Sequence, residues 1–156
     1  KIRKKNIKKY QNTVFLPFFF IDMDAYLDNF KELININKKK LPVKLKVKIH
    51  PLNVKKKKHL FFKKEIELFL KNIKLNKDLK YCDPIVLGAS SVILDILENG
   101  LGAYHIYNNE ILDSYSSSFW PNIKIRKVIK NKVSFYKLRK MNTCINIDAK
   151  KKIAFF

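Results

Sequence analysis

The chain has 156 residues, 47% hydrophobic and 13% aromatic, and carries a formal net charge of +21. That length and apolar content suffice for one domain with a real core and exclude a disordered polycation. Glycine occurs only at Gly88, Gly100 and Gly102, which excludes a glycine-rich phosphate loop and a dinucleotide-binding fingerprint.

The charge points first to nucleic acid or an anionic membrane. Arginine, however, stands only at Arg3, Arg126 and Arg139. Nucleic-acid readers favour arginine for its planar fork. The lysine excess is therefore read as a solvated surface arising from compositional bias. Cys82 and Cys144 have no metal-type spacing, and a reduced compartment is expected. The longest apolar run, Val14 to Ile21, is about eight residues, against the roughly twenty needed to span a bilayer. The chain opens without Met in a lysine-rich run and is expected to be a fragment or the carboxyl half of a longer protein.

In chain order, Lys1 to Gln11 reads as a basic tail or linker. Thr13 to Phe20 is expected to be a central strand, with Pro17 near its end. From Asp22 to Asn37, Met23, Tyr26, Leu27, Phe30, Leu33 and Ile34 recur at helical spacing, and Asp22 or Asp24 can cap the helix. Val43 to Ile49 alternates apolar residues with lysines, the pattern of a strand with one buried face. Lys55 to Lys58 reads as an exposed loop and His59 to Phe69 as a helix. Ile73 to Leu75 suggests a short strand, and Lys77 to Tyr81 a helical turn.

Ile85 to Gly88 is expected to be a buried strand, followed by a helix over Ser90 to Asn99 that Gly100 stops. Ala103 to Tyr107 is the next strand. A polar loop, the hydroxyl-rich stretch Ser114 to Ser118, and Phe119-Trp120-Pro121 follow. Ile123 to Ile129 reads as a strand and Val133 to Met141 as a helix. No element is assigned over 142–156. The alternation implies an α/β fold, a mostly parallel sheet with helices on both faces, in one domain over 12–141.

Three places carry chemistry. Ser90 and Ser91 open a helix, where hydroxyls cap free N–H groups or, with those groups, hold a phosphate. Gly88 permits the sharp turn at the carboxyl edge of the sheet, where open α/β sheets bind ligands. His50 ends a strand and Pro51 forces it into extended backbone, which fixes the imidazole at that edge. It is either a hydrogen-bonded strand-end histidine or a phosphate ligand and proton donor. Asp95, one turn beyond Ser91, is either a ribose acceptor or a solvent-facing acid.

The segments Lys48-Ile49-His50-Pro51 and Gly88-Ala89-Ser90-Ser91, continued to Gly100, resemble the His-Pro and Ser-Ser motifs of bacterial surface-carbohydrate glycosyltransferases. These include sialyl- and polysialyltransferases and CDP-glycerol polymer transferases. The resemblance covers Thr13 to Tyr107 and implies the carboxyl-terminal Rossmann-like half of a GT-B fold. It implies that His50, as catalytic residue, contacts the phosphate of a CMP- or CDP-linked donor, that Ser90 and Ser91 bind it, and that Asp95 meets the ribose. Pro51, Gly88 and Gly100 are structural turns. Two features depart from the family: Gly100-Leu101-Gly102 stands where Gly-x-Pro is usual, and no amino-terminal domain with an acidic base is present.

The resemblance further implies no cofactor and no metal, with a nucleotide-sugar donor and a glycan or lipid-linked acceptor as partners. It places the chain in the cytoplasm, at the inner face of the membrane. Clustered lysines gain roughly 1 kcal/mol each near an anionic membrane, so the runs Lys1 to Lys9 and Lys55 to Lys58 are expected to favour that contact. The alternatives are a basic nucleic-acid-binding domain and a folded, non-catalytic relic.

Overall fold

The computed structural model describes residues 7–19, 22–108, 115 and 120–139. The Ser114 to Ser118 stretch apart from Tyr115, Phe119, Cys144 and the segment 142–156 lie outside the described residues, as do 1–6. The protein is an α/β layer sandwich on a six-stranded, mostly parallel sheet, a Rossmann-like arrangement. Its elements are α1 (Ile7–Tyr10), β1 (Thr13–Phe15), α2 (Met23–Ile36), β2 (Lys46–Lys48), α3 (Lys57–Lys71), β3 (Ile85–Leu87), α4 (Val92–Glu98), β4 (Ala103–Ile106), β5 (Ile123–Ile129) and β6 (Val133–Leu138). The spatial order is β2-β1-β3-β4-β6-β5. The first four are parallel neighbours, and β6 pairs antiparallel with both β4 and β5.

Period-two alternation splits the core into two layers. Val14, Ile85, Leu87 and Ile106 point to one face, where Phe30, Leu33 and Ile34 of α2 and Phe62 and Ile66 of α3 cover them. Val86, Ala103, Tyr136 and Leu138 point to the other, under Ile93, Ile96 and Leu97 of α4. Tyr10 of α1 is buried in this second layer, so the end of the basic stretch read as a tail belongs to the core.

Local chemistry sets the element ends. The Asp22 carboxylate accepts from the Ala25 N–H at 3.1 Å and caps α2, as the sequence suggests. At the close of α4, the Gly100 N–H bonds the Leu97 carbonyl and the Leu101 N–H bonds that of Ile96. With Gly100 at φ +83°, this is a Schellman termination at the expected glycine. Gly102 lies where a Cβ would run into the Phe135 ring, so close packing accounts for the second glycine. At the amino edge, Asn12 (φ 57°) binds the Lys80 carbonyl and the Cys82 N–H through its side chain, and Lys46 N–H through its carbonyl. It locks the starts of β1 and β2 to the approach of β3.

Several expectations are corrected. Val133 to Met141 is not a helix: Val133–Leu138 is strand β6. Its Val, Phe and Tyr suit a pleated surface, and Asn131 at φ 60° closes a three-residue hairpin loop from β5. The sheet therefore ends in an antiparallel hairpin. Strand β1 stops at Phe15 rather than Phe20, and β2 occupies only the later half of Val43 to Ile49. Ile73 to Leu75 forms no strand; Asn76 instead bridges to Pro42. No helical turn spans Lys77 to Tyr81, since the Asn76 side chain accepts from the Asp78 N–H at 2.9 Å and makes a local turn. Helix α3 begins at Lys57, so Lys57 and Lys58 form its first turn rather than a loop.

Gly88 is a second close approach, this time in left-handed backbone. Its φ is +74°, and a Cβ there would stand 2.9 Å from both Pro17 Cβ and Tyr26 Oη. Gly88→Ala therefore incurs about 1–2 kcal/mol of left-handed strain and about 1–3 kcal/mol of overpacking. Urea unfolding should show that loss as a lower midpoint with unchanged slope; a shift under about 1 kcal/mol would contradict the close approach.

Candidate functional site at the carboxyl edge of the sheet

The strand order creates a switch point. From β1 the chain moves outward to β2, then returns to place β3 on the other side of β1. Crevices at the carboxyl ends of strands flanking such a reversal are where open α/β sheets bind ligands. Here that edge holds Pro17 and Phe18 after β1, His50 after β2, and Gly88 to Ser91 after β3. Both motifs expected to carry chemistry thus lie at one edge. One intervening strand keeps them apart, a separation of roughly 10 Å at ordinary strand spacing.

His50 has φ −56° and ψ 137°, the extended backbone that Pro51 imposes, and Pro51 opens a single 3-10 turn over Pro51–Asn53. The ring is exposed and stands edge-on to Phe18, 4.8 Å between centroids. Its Nδ1 accepts from the Leu52 N–H at 3.2 Å. An accepting Nδ1 leaves the proton on Nε2, so the outward nitrogen is a donor.

The two serines divide their work. Ser90 Oγ accepts from the Val92 N–H at 3.3 Å. Ser91 is exposed, sits in helical backbone and makes no capping bond with its side chain. Ser90 therefore stabilises the turn while keeping its own O–H to donate, and Ser91 presents its whole hydroxyl outward. Helix α4 is only seven residues long, so the hydroxyls and the turn backbone matter more here than a long helix dipole. Asp95 is exposed on α4, and its charge helps burial raise the pKa of the Tyr10 phenol. Asp95 lies one turn along α4 from Ser91.

The edge also depends on residues that the sequence did not single out. His105 of β4 is fully buried. Its Nε2 is 2.9 Å from the Gly88 carbonyl and its Nδ1 3.0 Å from the Tyr136 hydroxyl. A carbonyl only accepts, so Nε2 carries the proton and Tyr136 donates to Nδ1. The Tyr136 oxygen accepts in turn from the Tyr115 N–H at 3.3 Å. This chain ties the turn at Gly88 to the hairpin. On the other side, Asn53 Nδ2 and His59 Nε2 both donate to the Phe18 carbonyl, at 3.0 and 3.1 Å. Buried Oδ1 atoms of Asn53 and of Asn108, which follows β4, have no hydrogen-bond partner among the described residues.

Other reactive groups are quiet. Burial above all, then the neighbouring Asp83 charge, pushes the Cys82 thiol up to about 12, so it stays protonated and inert near neutral pH. Among the described residues no group of three or more His, Cys, Asp or Glu could hold a metal ion.

Burial holds the His105 pKa down to about 4, against a smaller upward pull from the Gly88 bond. An unfolded histidine titrates near ~6.5, so between these values only the unfolded chain takes up the proton. Stability is therefore lost as pH falls from about 6.5 to about 4, on the order of 3 kcal/mol from this group. In urea unfolding near neutral pH and at about pH 4.5, His105→Gln should lose less stability on acidification than the parent. Equal losses would mean that His105 titrates normally in the folded chain.

No protein-family model, curated protein or solved structure matches the chain.

Proposed function

We propose that the chain is the donor-binding domain of a glycosyltransferase in capsule, lipopolysaccharide or other surface-polysaccharide assembly, with the phosphate of a CMP- or CDP-linked donor held at the carboxyl edge of the sheet. One observation carries the reading: the His-Pro and Ser-Ser segments, far apart in sequence, stand on strands flanking β1 and end at the same edge of the switch point. Ligand recognition at that position needs donors for phosphate oxygens. The outward Nε2–H of His50 and the Ser91 hydroxyl supply them, with the backbone of the Gly88 turn between.

In this reading His50 hydrogen-bonds the phosphate as its bond to the sugar breaks. With Nδ1 engaged by the Leu52 N–H, it acts through donation from Nε2 and orientation. The acceptor and the base that deprotonates it belong to a second domain, so the chain supplies half of the cleft. The cytoplasmic face of the membrane is where such an enzyme meets a lipid-linked acceptor. Asp95, exposed one turn along α4 from Ser91, is the ribose contact in this reading.

Calorimetric titration with CMP and CDP tests the proposal. The chain should bind one of them weakly, in the millimolar range or somewhat tighter. Loss of one hydrogen bond to a charged phosphate is worth about 1.5–3 kcal/mol, roughly ten- to a hundredfold in affinity. Ser91→Ala and His50→Gln should each weaken binding by that order while thermal melting hardly moves. Ser90→Ala should instead lower the melting temperature, since it removes a turn-stabilising bond worth about 1 kcal/mol. No heat of binding at millimolar nucleotide, or binding that Ser91→Ala leaves unchanged, would sink the phosphate site.

A further inference from the structure

We propose that the corner formed by the loop after β1, the turn after β2 and the start of α3 is a docking surface for anionic lipid membranes. This does not rest on the glycosyltransferase reading. Four large apolar side chains lie open there: Phe19 is 72% exposed, Leu52 73%, Val54 49% and Phe61 54%. Phe18 and the turn at His50 connect the first three, and the start of α3 carries the fourth. Phe19 packs edge-on against Phe18 at 4.6 Å and lines, with Lys56 to His59, a cavity of about 300 Å³. Phe18 meets His50 at 4.8 Å, and the turn from His50 carries Leu52 and Val54. Phe61 stands one turn along α3 from Lys57. Folded chains rarely leave such residues clustered without a partner.

The charge around the cluster identifies the partner. Residues 33–64 contain no Asp or Glu, and Lys55 to Lys58 run through the middle of the patch. Lys56 lies over the Phe18 ring at 5.9 Å. The outer ridge of α3 continues the pattern, with Lys57, Phe61, Lys64, Leu68 and Lys71 at spacings of four and three, one helical face. Apolar tips framed by long cationic stems match the boundary between acyl chains and anionic headgroups. A single-stranded nucleic acid needs flat rings to stack its bases. Two of the four exposed side chains are aliphatic, and the cations are lysines, so the lipid surface is the better fit.

The test uses the whole chain with vesicles of phosphatidylcholine, pure or mixed with phosphatidylglycerol, in flotation at low and physiological salt. The chain should float with the anionic vesicles and not with the neutral ones. The double variant Leu52→Ser, Phe61→Ser should float about tenfold less while its melting temperature holds, because both side chains are exposed. A tryptophan placed at Leu52 should be quenched by brominated lipids beyond the parent's Trp120. One placed at Tyr81, before β3 at the opposite edge, should not be. Binding with no quenching at position 52 would mean diffuse lysine adhesion and overturn the proposal. So would absence of binding, self-association that the double variant abolishes, or single-stranded RNA binding that the same variant abolishes while vesicle binding persists.

Discussion

The approach of Gly88 to Pro17 and Tyr26 governs how this sheet meets its surroundings. The 2.9 Å clearances that an added Cβ would have mean that the loop after β1, the first turns of α2 and the turn after β3 pack as one unit. A larger residue would prise β1 from β3 at the carboxyl edge, and that seam is where the strand order reverses. The edge is consequently a firm platform, and the groups on it are held at fixed relative positions. Such prepositioning lowers the ordering cost of ligand capture.

Two polar clamps hold the platform from either side. The imidazole of His105 holds the Gly88 carbonyl from beneath, backed by Tyr136 and by the backbone of Tyr115. Asn53 and His59 hold the Phe18 carbonyl from the α3 side. A backbone carbonyl that leaves a strand end has lost its ladder partner, and burying it unpaired is costly. The chain meets that requirement with side chains from later elements. The edge therefore depends on the rest of the fold, since β4, β6 and α3 supply side chains that fix the turns.

Much of this was legible in the sequence, and the rest failed for local reasons. The α2 helix could be read because its apolar residues repeat at helical spacing and Asp22 stands at the cap position. The stop of α4 could be read because Gly100 is a glycine where a left-handed residue is needed. The carboxyl-edge placement of His50 and Ser90 followed from strand-ending Pro51 and Gly88. β6 was misread because Val133 to Met141 mixes strand formers with residues tolerant of helix, and only the turn at Asn131 and pairing to β4 decide between them. That error also hid the His105–Tyr136 contact, which requires β6 beside β4. The division of labour between Ser90 and Ser91 depends on backbone angles that spacing does not encode.

The two outer strands show a use for lysine unrelated to ligands. β2 and β5 are the borders of the sheet, and a border strand offers unpaired N–H and C=O groups to any second copy. β2 is only three residues long, with Lys46 and Lys48 exposed about buried Val47. β5 presents Lys124, Arg126 and Lys127. Cations on both borders make lateral joining of two sheets repulsive as well as desolvating. A chain with nearly half its residues hydrophobic is thereby protected against growing into aggregated ribbons at the crowded concentrations of a cell.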